Sequence, residues 1–348
     1  MRFLIICFLV FSVEVFSDSK TNSSAIEHAP IGVMADHFHK KGESMISLRY
    51  GSMKMDGNIF NGTSINTEQI LTMPNPLGDM PANLSVVPNT MDMSMTMIGG
   101  MYAPSNDITL MAMGMFMDKS MNLSSYESMM GRGFLGEFTT SSSDLSDLAF
   151  GALFKLKESS NNRWHSELTF QKSLDKNELK DEVLTPMGMN MQMILPYGMQ
   201  IGDNATRLVL GITNVRNLSD SWVIGNQFRG KFVISDKDWS FGDVIEFNSW
   251  IQYEINSSLS LSSRIKFIDQ DNISGKNPMI MAPVQTANPK NYGGREIQFG
   301  LGLNLLTSIF PGHVDRVGIE FVIPIEQDKN GLQMETDYQL IAGYQKSF

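Results

Sequence analysis

The chain has 348 residues, of which 42% are hydrophobic and only 18% charged, and its formal net charge is −10. That hydrophobic content excludes a disordered polar chain. The negative balance argues against a nucleic-acid partner, whose phosphates call for clustered lysine and arginine.

In chain order, Arg2 precedes an apolar run, Phe3 to Val13, followed by Val15-Phe16-Ser17 and Asp18. A basic start, a short apolar core and small or branched residues before the cut predict a signal peptide over residues 1–17. The run, about 15 residues and interrupted by Glu14, is shorter than the roughly 20 that a membrane-spanning helix needs. The only cysteine, Cys7, leaves with the peptide, so the mature chain is expected to have neither disulfides nor thiolate metal sites. Residues 18–41 are polar and irregular, with His28, His37 and His39, and are expected to form a periplasmic N-terminal segment or, in a barrel as narrow as 12 strands make, a plug for the lumen.

From residue 42 to 348 the pattern is alternation, the period of a β-strand. Ile46, Leu48 and Tyr50 alternate with Ser47 and Arg49 in the first segment. The second and third, 91–102 and 108–117, carry methionine at 91, 93, 95, 97 and at 111, 113, 115, 117 on either side of a break at 103–107. Further segments follow around Leu148–Leu156, Trp164–Gln171, Leu208–Ile212, Trp222–Phe228, Ile245–Glu254, Leu259–Phe267, Ile297–Leu305, Val317–Ile323 and Tyr338–Phe348. They predict an all-β fold, an antiparallel transmembrane barrel of about 12 strands.

The connections alternate in the same sense. Those after strands 2, 4, 6, 8 and 10 are short, whereas those after 1, 3, 5, 9 and, less clearly, 7 and 11 are longer and richer in Asn, Gly, Ser and Pro. Short periplasmic turns and longer external loops are the outer-membrane pattern. Tyr102, Trp164, Trp222 and Tyr253 sit beside short turns with outward parity, as an interfacial girdle would, and Phe348 closes the chain at that level. A terminal Phe also resembles the signature that the barrel assembly machinery reads.

Arginine facing lipid near the midplane costs about 2–4 kcal/mol. The face of Arg49 is therefore the lumen, and methionines of the same parity line it. Same-face residues lie about 6.8 Å apart along a strand and neighbouring strands about 4.8 Å apart. On such a grid Met95, Met97, Met101, Met111, Met113 and Met115 are candidate ligands for a soft ion such as Cu(I), and the imidazoles of His28, His37 and His39 for Cu(II) or other divalent metals. The alternative is that methionine, an adaptable filler, lines a path for an apolar solute or plugs a narrow barrel. Arg49, His165, Glu167, Glu246, Arg264, Lys266 and Glu320 are expected as polar lumen residues. His165 and Glu167 share a face, but no nucleophile accompanies them, so the sequence predicts no enzyme and requires no cofactor.

The segments "DHFHKKGESMISLRY", "MKMDG", "MIGGMYAPSNDITLMAM", "LPYGMQIG", "NPMIMAPVQTANPKNYGGREIQFGLGLN" and "LQMETDYQL" resemble Met-rich outer-membrane barrels of Gram-negative bacteria. These are described as transporters, related to the barrel family named for phenol meta-pathway degradation. The likeness runs from about residue 36 to 348. It implies a barrel in the outer-membrane bilayer and a transport role without fixing the permeant. The expected function is a channel with a methionine-lined lumen passing small solutes, soft metal ions such as copper among them. The alternatives are a non-conducting metal-binding or structural barrel and, ranked last, an outer-membrane hydrolase.

Overall fold

The computed structural model describes residues 24–78, 80–128, 132–174, 178–308 and 315–348. The expected signal peptide with Cys7, and the loop residues Met129 and Met130, lie outside them.

Twelve long strands make the fold: β1 (Ser44–Phe60), β2 (Val86–Tyr102), β3 (Ile108–Tyr126), β4 (Phe134–Ser159), β5 (Asn162–Ser173), β6 (Thr206–Asn217), β7 (Trp222–Ser235), β8 (Val244–Asn256), β9 (Leu259–Gln270), β10 (Gly294–Thr307), β11 (Asp315–Lys329) and β12 (Leu332–Ser347). Each pairs antiparallel with the next, and β12 pairs with β1, so the sheet closes into a barrel. At the seam the backbone of Phe348 exchanges two hydrogen bonds with Ser44, at 2.8 and 3.2 Å. Closure removes the sheet edges that would otherwise leave backbone groups unpaired. One extra short strand, Thr63–Ile65, folds back on the end of β1.

Alternation decides which side chain goes where. Ile46, Leu48, Tyr50, Ile98, Leu110, Phe150, Leu301 and Phe321 are exposed on the outer wall, whereas Arg49, Glu167, Gln252, Arg264 and Glu320 are buried inside. Phe150 is 61% exposed while Arg264 is 3% exposed, the inverse of a water-soluble protein. An apolar exterior with a polar interior is what a lipid solvent selects. Leu110→Arg is accordingly expected to lower unfolding free energy in lipid vesicles by about 2–4 kcal/mol, whereas arginine at Asp118, higher on the same strand face, should have little effect. Denaturant titrations of the two variants provide the check.

The strands run farther than alternation alone predicts. β4 begins at Phe134 rather than near Leu148, through Thr139-Thr140-Ser141-Ser142-Ser143. Residues 324–337, expected as a longer loop, are instead the ends of β11 and β12, joined across Asn330-Gly331 with Gly331 at φ +62°. Over 139–143 both faces of β4 are polar, so the period-two contrast that marks a strand disappears; at the start of β12 it is inverted, with Leu332 and Met334 buried inside and Gln333 and Glu335 on the other face. Asp92 and Ser94 belong to the same zone, with outward-parity neighbours Ser52, Asp118 and Ser120 in register. The wall here has passed beyond its apolar band.

Candidate functional site

The lumen has a sulfur side and a charged side. On the sulfur side, cross-strand register sets Met45 opposite Met101, Met53 opposite Met93 and Met55 opposite Met91 between β1 and β2. Between β2 and β3 it sets Met91 opposite Met121, Met95 opposite Met117, Met97 opposite Met115 and Met101 opposite Met111. Directly opposed residues have Cβ atoms roughly 4.5–5.5 Å apart, so each pair brings two flexible thioethers together. Gly51 and Gly99 are inward partners of Met95 and Met113, and a Cβ at Gly51 would meet the Met95 methyl at 3.7 Å. Met53, Met93, Met95, Met113, Met115 and Met117 point inward yet stay only half-buried. They line internal space rather than fill a core.

The charged side is held by paired groups. Glu167 takes a two-pronged contact from Arg229, with Nε and Nη2 both at 2.8 Å, and a third bond from Thr169. Arg264 donates to both oxygens of Glu320, at 2.7 and 3.1 Å, and to Asn248 at 2.8 Å. Glu246 lies 2.8 Å from Lys266 and 3.7 Å from Lys231. Forked guanidinium–carboxylate pairs fix geometry better than a lysine can. These side chains are rigid lining rather than free charges.

At the short-turn end the lumen is crossed by residues 24–43. Of the polar segment expected over residues 18–41 to extend into the periplasm or to plug the lumen, residues 24–41 are packed inside the barrel, and 18–23 lie outside the described residues. The packed stretch starts where Ala25 N–H meets the Ser257 carbonyl and ends where Gly42 N–H meets the Ala103 carbonyl, both on short turns. Between these points the wall grips its backbone. Ser260 donates to the Ala25 carbonyl, Gln252 and Asn304 to that of His28, and Arg316 to that of Ala29. Arg49 Nη1 donates to the carbonyls of Ile31 and Val33 and to the Met34 sulfur, at 2.9, 3.0 and 2.9 Å. Gln227 reaches the Met34 carbonyl, and His165 Nε2 lies 2.8 Å from that of Ala35. Gly32 N–H donates to Glu320 Oε2 at 2.9 Å. A polar segment can be buried this way because wall side chains take up its backbone carbonyls from Ala25 to Ala35 at repeated points.

Shape completes the plug. Gly318 and Gly343 are register partners on the inner wall, and Ile31 lies against both. A Cβ there would stand 2.8 Å from Ile31 Cβ and 2.7 Å from Ile31 Cδ1 respectively. Three histidines travel in this segment. Burial, then the Arg316 guanidinium, holds His28 well below the ordinary histidine range, and burial lowers His39 against the opposing hydrogen bond to Glu43. Both imidazoles are therefore neutral near pH 7.

The opposite end is filled by loops. Leu195, Tyr197, Met199, Trp239, Ile273, Ile280 and Val284 pack with inward wall residues Val86, Met91, Met121, Leu123 and Met334 in one apolar cluster. Lys119, Ser142 and Tyr197 tie it to the strands and loops. Lys119 Nζ reaches the Gly198 and Gln200 carbonyls, Ser142 reaches that of Met199, and Tyr197 Oη accepts from Asn277 N–H. Met91 and Met121 are core of this cap rather than lining of the space below it.

All the candidate lumen residues, Met95, Met97, Met101, Met111, Met113, Met115, Arg49, His165, Glu167, Glu246, Arg264, Lys266 and Glu320, have inward parity. His37 and His39 lie not on the wall but in the plug, with His39 N–H donating to Thr109 at 2.9 Å. Tyr102, Trp222, Tyr253 and Phe348 are exposed at the short-turn end, and Trp222 packs on Tyr253 with ring centroids 4.8 Å apart. Trp164 is half-buried beside them, with Asn214 opposite in register. Arg229, Arg316 and the glycine seat of Ile31 are not among the residues the sequence singles out. Arg229 was open to detection, since it follows the outward Phe228.

The sequence matches no family profile and no curated protein. Solved structures do resemble the fold. An outer-membrane channel from Pseudomonas putida F1 superimposes with a TM-score of 0.56 at 13% identity, over 90% of this chain and 98% of that one. A FadL homologue from Pseudomonas aeruginosa gives 0.40 at 10% identity, over 89% and 91% of the two chains. The translocator domain of the autotransporter NalP from Neisseria meningitidis gives 0.44 at 8% identity, over 89% and 90%. The first likeness bears on the fold alone, which is that of an outer-membrane barrel.

Proposed function

We propose that the chain is a passive outer-membrane channel for small solutes, its path running along the methionine rows, with weakly hydrated soft cations as its preferred ionic permeants. One observation carries this reading: inward methionines, Met53, Met93, Met95, Met113, Met115 and Met117 among them, remain half-buried between a plug at one end and a cap at the other. Thioethers are soft, uncharged and individually weak ligands, so a row of them lets Cu(I) pass from site to site without trapping it. The short turns and the N-terminal segment then face the periplasm and the long loops the exterior. Phe348, at the short-turn end, is the segment offered to the assembly machinery.

The test is flux into proteoliposomes of Ag+, a redox-stable stand-in for Cu(I), beside K+. Changing Met95, Met97, Met111 and Met113 together to leucine keeps volume and apolarity but removes the sulfur. Ag+ flux is expected to fall at least tenfold while K+ flux stays within a factor of about two, the difference expected when ligation rather than width is lost. Equal loss of both ions, or of neither, rejects the sulfur path. A second reading, an apolar organic permeant, draws on the apolar cap cluster. It predicts unchanged flux of a small aromatic solute in the leucine variant.

A further inference from the structure

We propose that His28, Asp36, His37 and His39 form a binding site for a divalent ion of the Zn2+ or Cu2+ type, and that the bound ion staples the N-terminal plug into its folded form. His28, Asp36 and His37 offer ligand atoms that all lie within 4.8 Å of one another. The His37 ring is 5.1 Å from that of His28 and 4.9 Å from that of His39, both edge to face, so the rings surround a common point rather than stack.

The polar atoms of this cluster are buried but not used. His28 Nδ1, both ring nitrogens of His37 and His39 Nε2 lack a hydrogen-bond partner. Buried nitrogens are rarely left so, and four within one cluster point to a shared electrophile. Asp36 Oδ2 accepts from Ala29 N–H at 3.1 Å, which holds its Oδ1, 3.1 Å from His37 Nδ1, in the cluster as a ligand. Glu43 Oε2 lies 3.6 Å from His39 Nδ1, which leaves Nε2 as the free nitrogen of that ring. A carboxylate behind a ligating imidazole fixes its tautomer and raises its basicity. Imidazoles with one carboxylate suit Zn2+ and Cu2+, not Ca2+ or Mg2+. A tetrahedral ion holds its donors roughly 3.3 Å apart, a contraction that side-chain rotation supplies.

The ligands also bracket the working part of the plug. His28 precedes, and Asp36, His37 and His39 follow, the loop whose tip at Ile31, Gly32 and Val33 is held by Arg49, Glu320 and the glycine seat. An ion joining the two legs closes that loop and binds only the folded plug, which it therefore stabilises by mass action. Nothing in this depends on what the barrel transports.

The experiment is titration of metal-free, refolded full-length mature chain with Cu2+ and with Zn2+, read by calorimetry and by the electron paramagnetic resonance of the Cu2+ form. One equivalent is expected to bind with nitrogen hyperfine structure, unchanged when Met95, Met97, Met111 and Met113 are leucine. In His28→Gln/His37→Gln, with folding verified by the heat-dependent gel shift of a closed barrel, affinity is expected to drop at least tenfold. Absence of nitrogen-coordinated Cu2+ in the unaltered chain, or equal binding in the double variant, overturns the proposal. Should that variant not fold, Zn2+ protection of His28 and His37 against diethyl pyrocarbonate in the unaltered chain decides instead. Lack of protection refutes the site. Ion flux is not measured, so failure here leaves the channel reading intact, and the reverse.

Discussion

Gly32→Val is expected to raise the mean single-channel current of the barrel by about one to two orders of magnitude. A Cβ at Gly32 would stand 2.2 Å from Glu320 Oε2 and 2.6 Å from Arg264 Nη2, closer than any non-bonded contact tolerates. Glu320 and Arg264 are locked to each other and cannot retreat, so the plug must move. Overpacking of this kind costs about 1–3 kcal/mol, which multiplies the unplugged population by roughly 5 to 150. Gly343→Leu should act in the same direction from the adjacent strand, because its Cβ would meet Ile31 Cδ1 at 2.7 Å. Planar-bilayer recordings of both variants provide the measurement. Currents equal to those of the unaltered chain would assign the limiting constriction to the apolar cap instead.

The contrast between what could be read early and what could not has a physical origin. Strand parity was legible because lipid outside and polar groups inside impose opposite chemistry on successive residues, as at Ile46 and Arg49. Where β1 to β4 rise past the apolar band that contrast vanishes, and Ser141, Ser142 and Ser143 read as loop although they are strand. The methionine rows were legible for the same reason as the wall, since their parity follows that of Arg49. A plug from the polar N-terminal segment is expected from strand number alone, but its seat is not legible, because residues 24–43 have no periodicity. What holds them is a set of backbone carbonyls meeting side chains far along the chain, such as Asn304 to His28 and Arg316 to Ala29. A sequence shows Asn304 and Gly318 as polar or small lumen residues and says nothing of the segment they receive. The cap is a similar case. Tyr197 and Trp239 sit in separate loops, and only the fold brings their rings to 4.7 Å.

Two buried ion pairs should separate stability from gating. Glu167→Ala strands Arg229 without its carboxylate inside the lumen, and Glu320→Ala does the same to Arg264. Each is expected to lower unfolding free energy by about 3–5 kcal/mol, because breaking a buried pair leaves an uncompensated charge. Only Glu320 also accepts from the plug, through Gly32 N–H. Glu320→Ala should therefore raise conductance as well as destabilise, whereas Glu167→Ala should destabilise and leave conductance near its normal level. Replacing whole pairs sharpens the distinction. Glu167→Leu/Arg229→Met and Glu320→Leu/Arg264→Met should both recover most of the lost stability, since a well-packed apolar pair substitutes for a buried salt bridge at little cost. The second double variant should nonetheless stay leaky, for it restores packing between β9 and β11 without restoring the acceptor that the plug needs. Denaturant titration in detergent and bilayer conductance, run on the same four proteins, test both halves. If the Glu320→Leu/Arg264→Met barrel is stable and tight, Ile31 in its glycine seat and Arg49 suffice to hold the plug, and Glu320 serves the wall alone.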